Sequence, residues 1–224
     1  MTNKSSRNSH NKWLSIMLLA LVACVGMAIY FGIAERKQAI QIAQHIKIDG
    51  IFVPTPTDIT DFQLTDNVGK TFTKENLKGH WTMMFFGFTN CGMVCPTTLA
   101  ELNKMYRTLQ KELPDTQLPQ VVLVSVDPER DTIERMNEYV TTFNPHFIGV
   151  RGDLPETESL KKQLHIVSAK MQADGQGQSQ YTINHSAEIM LFNPEAKVQA
   201  YLSYPHKADQ MVSDYKSILS TTKS

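Results

Sequence analysis

The apolar positions divide the chain into two parts with different patterning. From Trp13 to Ile33 the sequence reads WLSIMLLALVACVGMAIYFGI, 21 residues without a formal charge. A helix of that length spans about 32 Å, close to the hydrocarbon core of about 30 Å. Trp13 and Tyr30 stand near its ends, where amphipathic rings prefer the membrane interface. Beyond Ile33 the apolar residues fall into short runs. Residues 34–50 are mixed and predict a link, and Pro54 and Pro56 suggest irregular chain. Phe62-Gln-Leu64 and Thr71-Phe-Thr73 alternate across Asn67-Val-Gly-Lys70 and predict a hairpin.

Trp81 to Phe88 (WTMMFFGF) and Val121 to Val126 (VVLVSV) are continuous apolar runs, the pattern of strands buried on both faces. Between them Leu99, Leu102, Met105, Tyr106, Leu109 and Leu113 recur at helical spacing, ended by Pro114. Asp131-Thr-Ile-Glu134 has the form of a capping box and predicts a helix to Phe143, with Asp131 as its cap. Phe147–Val150 reads as a short strand, Leu154–Leu164 as a helix and Gly175–Gln180 (GQGQSQ) as a turn or loop. Ala187–Phe192 and Val198–Leu202 read as adjacent strands, and residues 207–219 as the last helix. No internal repeat is visible. The order β-α-β-α-β-β-α, with a hairpin before it, predicts an α/β layered domain of thioredoxin-like type with an N-terminal hairpin extension.

Charge sets the topology. Lys4, Arg7 and Lys12 precede the apolar run, and no acid occurs before Glu35. The positive-inside rule keeps that head in the cytoplasm and sends the rest across. Residues 1–12 are then a cytoplasmic head, 13–33 a transmembrane anchor, 34–56 a link and 57–224 the α/β domain. The expected location is a bacterial inner membrane, crossed once, with the domain in the periplasm. A cleaved signal peptide has a shorter apolar run and a small-residue site; this run meets Glu35-Arg-Lys37 instead. Leu21-Val-Ala-Cys24 resembles a lipobox, but residues 25–33 stay apolar, so Cys24 is read as a small apolar residue of the span. A mitochondrial presequence fits poorly, with one Arg in twelve residues. Past residue 33 the chain has 19 basic against 22 acidic side chains, a net of −3. With no Lys/Arg block, nucleic acid is excluded as a partner. Three cysteines are too few for a disulfide-stapled scaffold.

Two of those cysteines carry the candidate chemistry. Cys91-Gly-Met-Val-Cys95-Pro96 lies where a buried strand gives way to a helix. A helix N-terminus presents unpaired N–H groups and a positive dipole end, which favour thiolate. At helical i, i+4 the Cβ atoms would stand about 5–6 Å apart, whereas a disulfide wants about 3.5–4.5 Å. One metal bonded to both sulfurs at about 2.3 Å bridges the wider gap. The spacing leans toward metal, yet a disulfide stays open if Cys91 precedes the helix. Of the seven histidines, His10, His45, His80, His146, His165 and His206 fall in the head, the link or near element ends. His185 stands just before the strand Ile189–Phe192, in a loop that a thioredoxin-like fold turns toward the first helix. On chemistry alone it is either a third ligand or a surface histidine.

Three motifs together resemble the Sco/SenC family of membrane-anchored, thioredoxin-like copper proteins. They are Gly87-Phe-Thr-Asn-Cys91-Gly-Met-Val-Cys95-Pro96, Val124-Ser-Val-Asp127-Pro-Glu-Arg130-Asp131-Thr132 and Asn184-His185-Ser-Ala187. Their order covers about residues 57–220. The resemblance implies that Cys91, Cys95 and His185 bind one copper. It also implies delivery of copper to, or reduction of thiols at, the dinuclear copper centre of cytochrome c oxidase. The partners it implies are the oxidase's copper-centre subunit and other periplasmic copper chaperones or a thioredoxin-like reductant. The family often has Pro after the first cysteine; Gly92 replaces it here and adds backbone freedom. Thioredoxin oxidoreductases carry a cis proline where Asn184-His185 stands, a substitution that favours metal binding over general disulfide exchange.

The implied ligand set is coherent. Soft sulfur selects Cu(I), and two thiolates leave the Cu(I) site at −1 and the Cu(II) site neutral. Zinc would want a fourth ligand. Met93, between the cysteines, is read as an exposed loop residue in preference to a ligand. Asp127 at the end of the second strand either supports a ligand from behind or meets a partner, or simply begins a loop before Pro128. The expected function is a copper-binding assembly factor, more carrier than enzyme. The alternative is a thiol-disulfide reductase, in which Cys91 and Cys95 are the catalytic pair and His185 is dispensable.

Overall fold

A computed structural model describes residues 5–172 and 181–222. The expected Gly175–Gln180 turn lies outside them. The chain forms two compact units, 1–45 and 46–224. The first is one helix, α1 (Ser5–His45), whose segment Ile16–Ala34 has a mean hydropathy of 2.5 and exposed apolar side chains. That segment is long and apolar enough to cross a membrane. The helix continues through the first part of the 34–56 segment.

The second unit is built on one eight-stranded sheet, in the order β1-β10-β9-β4-β5-β6-β2-β3. Its strands are β1 (Gly50–Thr57), β2 (Gln63–Asp66), β3 (Thr71–Thr73), β4 (Thr82–Gly87), β5 (Gln120–Ser125), β6 (Ile148–Arg151), β9 (Ile189–Phe192) and β10 (Val198–Leu202). Two more strands, β7 (Ser168–Gln172) and β8 (Tyr181–His185), pair only with each other. The helices are α2 (Val94–Glu112), α3 (Ile133–Phe143), α4 (Leu154–Gln163) and α5 (Ala208–Thr222). Strands β4, β5 and β6 run parallel, and β9 and β10 lie antiparallel beside β4. This is the expected mixed α/β domain of thioredoxin-like type, with β2 and β3 as the predicted hairpin.

β4 explains why the apolar runs are continuous. All six of its residues are buried, and alternate side chains serve opposite faces. Met83 and Phe85 pack with Leu99, Leu102, Met105 and Tyr215 of α2 and α5. Met84 and Phe86 pack with Leu160 of α4, Phe72 of the hairpin and the Cys95 sulfur. β1 is a departure from expectation: Pro54 and Pro56 lie inside a strand. β1 is the sheet's edge, where a missing N–H costs no ladder bond, and its register shifts between Phe52 and Thr57.

The cap of α3 also differs from expectation. Thr132, not Asp131, is the N-cap and accepts the Arg135 N–H at 3.2 Å. Asp131 is fully buried, and its carboxylate is committed elsewhere.

Candidate metal centre

β4 ends at Gly87, and the chain crosses six residues before α2. Cys91 precedes that helix and Cys95 sits in its first turn, so the pair is not helical i, i+4. The N-cap residue Met93 offers no side-chain cap. The Cys91 sulfur takes up part of that role by accepting the Cys95 N–H at 3.4 Å. Cys95 is completely buried and Cys91 half-buried; neither is in a disulfide. Gly87 makes room for them, because a Cβ there would stand 2.8 Å from the Cys95 sulfur and 2.9 Å from Leu123. Gly92 has no such role: a Cβ would meet nothing within 4 Å, and its φ lies outside the left-handed region.

The two thiols are pushed in opposite directions. Hydrogen bonding from the Cys95 thiol holds Cys91 down to about 4, against the opposing effect of burial, with His185 and the Cys95 and Met93 backbone adding to the lowering. Cys95 is raised by its hydrogen bond to Cys91, by burial and by the Cys91 charge. The pair therefore carries one thiolate on the accessible sulfur and one proton on the buried sulfur.

His185 reaches the same point from a different element. It ends β8, so it belongs to a strand and not to a loop. Its Nδ1 lies 2.7 Å from the Ser186 carbonyl oxygen, and its Nε2 lies 3.5 Å from the Cys95 sulfur. A carbonyl only accepts, so Nδ1 donates to it, and Nε2 is the ring nitrogen turned toward the sulfurs. The ring also stands edge-on to Phe88, with centroids 5.9 Å apart. The ligand atoms of Cys91, Cys95 and His185 all lie within 4.8 Å of one another. Two sulfurs and an imidazole at this spacing can hold one soft metal ion.

Asp127 makes no hydrogen bond or ion pair with these three side chains. It is fully buried in the loop two residues past β5, ion-paired to Arg130 Nε and accepting the Tyr181 hydroxyl at 2.6 Å. Arg130 also donates to the Tyr181 carbonyl at 3.1 Å, and its guanidinium lies 3.7 Å from the Tyr181 ring centroid. Lys170 of β7 approaches the same ring at 4.7 Å and pairs with Glu129 at 2.8 Å. These contacts fasten the β7–β8 hairpin to the loop after β5. Asp131 performs the matching task for the thiols. It accepts from the Thr89 hydroxyl at 2.6 Å, the Thr89 N–H at 3.2 Å and the Ser125 hydroxyl at 2.6 Å. Arg135 of α3 grips Asn90, next to Cys91.

Sequence reasoning missed the roles of Thr89, Ser125, Arg130 and Tyr181, and misread Asp131 as a cap. One signal was available. Ser125 interrupts an apolar run, and a polar side chain in a buried strand needs a partner.

The SCO1/SenC family profile matches residues 54–220. Mouse Protein SCO2 homolog, mitochondrial, is 34% identical over 152 residues, covering 68% of this chain and 58% of the relative's length. The crystal structure of Arabidopsis thaliana ScoI with copper bound superposes with a TM-score of 0.66 at 31% identity, covering 72% of this chain and 98% of that one. Bradyrhizobium japonicum ScoI with copper bound gives 0.62 at 33% identity, covering 70% and 96%. A match over three-quarters of the sequence, carried on the same fold, makes this chain a member of the SCO1/SenC family.

Proposed function

We propose that the chain is a membrane-anchored copper carrier that delivers its ion to the dinuclear copper centre of cytochrome c oxidase. The observation that carries this reading is the convergence of Cys91 Sγ, Cys95 Sγ and His185 Nε2 from two separate elements. Copper-bound ScoI structures of the same fold supply the identity of the metal. Copper here is cargo. The thiolates take it with soft donor atoms, and the imidazole adds the nitrogen that Cu(II) prefers. One ion in either oxidation state satisfies three donors. Ser186 holds the imidazole in its ligating tautomer, and Asp127, Arg130 and Tyr181 hold the strand that bears it. The partner is the oxidase's copper-centre subunit, with other copper chaperones or a thioredoxin-like reductant loading or resetting the site. The apolar segment of α1 is the anchor, and the basic head directs the domain to the periplasm.

One observation favours a second reading, reduction of the oxidase's cysteines. An accessible low-pKa sulfur beside a buried protonated one is the arrangement thiol exchange uses.

The test is copper stoichiometry of the full-length, reduced protein, purified in detergent, beside reduction of a model disulfide. We expect one copper per chain, lost in Cys91→Ala and in Cys95→Ala. One copper retained in either variant overturns the site. Rapid disulfide reduction without copper binding favours the second reading.

A further inference from the structure

Eight methionines lie in residues 46–224, all of them described. Six are buried to 2% exposure or less, as an apolar side chain in a packed domain should be. The other two are Met93, 75% exposed, and Met171, 52% exposed. Both line one cavity of about 330 Å³, the cavity that also holds Cys91 and His185 in its wall. They arrive from unrelated elements, Met93 from the turn before α2 and Met171 from β7.

Core packing does not account for either, since neither is buried. The chemistry of the cavity does. Its remaining lining includes Phe88, Val94, Thr182 and Ile183, and no carboxylate or Lys/Arg among the described residues. A hard, hydrated cation finds no oxygen cage there. A thioether is a neutral, soft donor that selects monovalent copper, and its flexible side chain can swing between cavity mouth and solvent.

We propose that Met93 and Met171 form an outer site for Cu(I) at the mouth of the cleft, a station the ion occupies before or after the Cys91–Cys95–His185 centre. The inference rests on the carrier reading and deepens it. Transfer between stations is ligand exchange: copper–thioether bonds break as copper–thiolate bonds form, the Cys95 proton passes to solvent, and the oxidation state does not change. Thiolate outcompetes neutral thioether, so the ion moves inward unless a partner's donors compete for it.

The test uses the full-length chain in detergent micelles, labelled at the methionine methyls. Cys24→Ser, Cys91→Ser and Cys95→Ser remove every thiol. Ag(I), the redox-inert analogue of Cu(I), is then titrated in. We expect the Met93 and Met171 methyl resonances to move together and saturate. The six buried methyls should stay in place, which also reports that the variant is folded. Adding Met93→Leu, of similar volume, should weaken the Met171 response about a hundredfold, the lower end of what linking two donors contributes. Resonances of Met93 and Met171 that do not move, or that move no more readily than those of Met17 and Met27 in α1, overturn the outer site. Wild-type copper stoichiometry separates this from the parent reading. Copper held through the cysteines, with silent methionines in the thiol-free variant, leaves the carrier standing and removes only the outer site. Responsive methionines, with no cysteine-dependent copper in the wild type, do the reverse.

Discussion

The two halves of the metal centre are built to different standards of rigidity. Cys91 and Cys95 follow β4, a strand buried on both faces at the centre of an eight-stranded sheet. The loop holding them is tied down by a fully buried carboxylate, Asp131. His185 ends β8, which pairs with a single neighbour outside that sheet and buries one of its five residues. Beyond its pairing with β7, its hold on the domain is the buried Ile183 and a set of side-chain contacts around Tyr181 and Arg130. The sulfur donors thus inherit the stability of the core. The nitrogen donor depends on a latch that can open without unfolding the sheet. A site that must both hold an ion and release it gains from having one loosely held donor.

The comparison can be broken most severely at the sulfurs. Cys91→Ala or Cys95→Ala should remove copper binding altogether, read by metal content, while the fold persists. The next effect is on acidity. In a Cys24→Ser background, alkylation of Cys91 should titrate with a midpoint near 4, far below the ordinary thiol value of 9.0, and Cys95 should resist. A depressed thiol stabilises the fold above its unfolded pKa. That contribution should decline as pH falls from about 9 toward about 4. Urea unfolding of the metal-free protein across that window checks the sign.

Asp131→Ala should cost about 3 kcal/mol in urea unfolding, because it orphans the Thr89 and Ser125 donors in a buried site. Tyr181→Phe removes one hydrogen bond from the latch and keeps the ring under Arg130. Loss of about 1 kcal/mol there should speed amide exchange in β7 and β8 roughly fivefold, with β4 and β5 unchanged. Equal acceleration in all four strands would erase the distinction between the halves. The smallest effect is expected at Gly92→Ala, within about 0.5 kcal/mol of wild type, since the added methyl meets nothing.

The sulfur half was legible in the sequence because its determinants are local. A doubly buried strand, a cysteine pair and a helix at 3.6-residue spacing are adjacent along the chain. β1, β7 and β8 were not legible. β1 hides behind two prolines that only an edge strand tolerates. β7 lacks both a continuous apolar run and an alternation, and β8 alternates over only five residues with a single buried position. His185 could be proposed from its neighbours, but its strand could not. Asp131 followed a local capping pattern that tertiary contacts overrode: Thr89 lies 42 positions away and claims the carboxylate. Asp127 and Tyr181 are 54 apart, and no periodicity links them.

The most direct test of the three-donor centre is copper K-edge absorption on the full-length, reduced, copper-loaded protein, measured beside His185→Ala. Two sulfur scatterers and one nitrogen should appear in the wild type. The nitrogen should vanish in the variant, whose Cu(II) affinity should fall further than its Cu(I) affinity. A wild-type spectrum of sulfur alone, or one that His185→Ala leaves unchanged, would contradict the assignment of His185 and with it the account of how the hairpin serves the site.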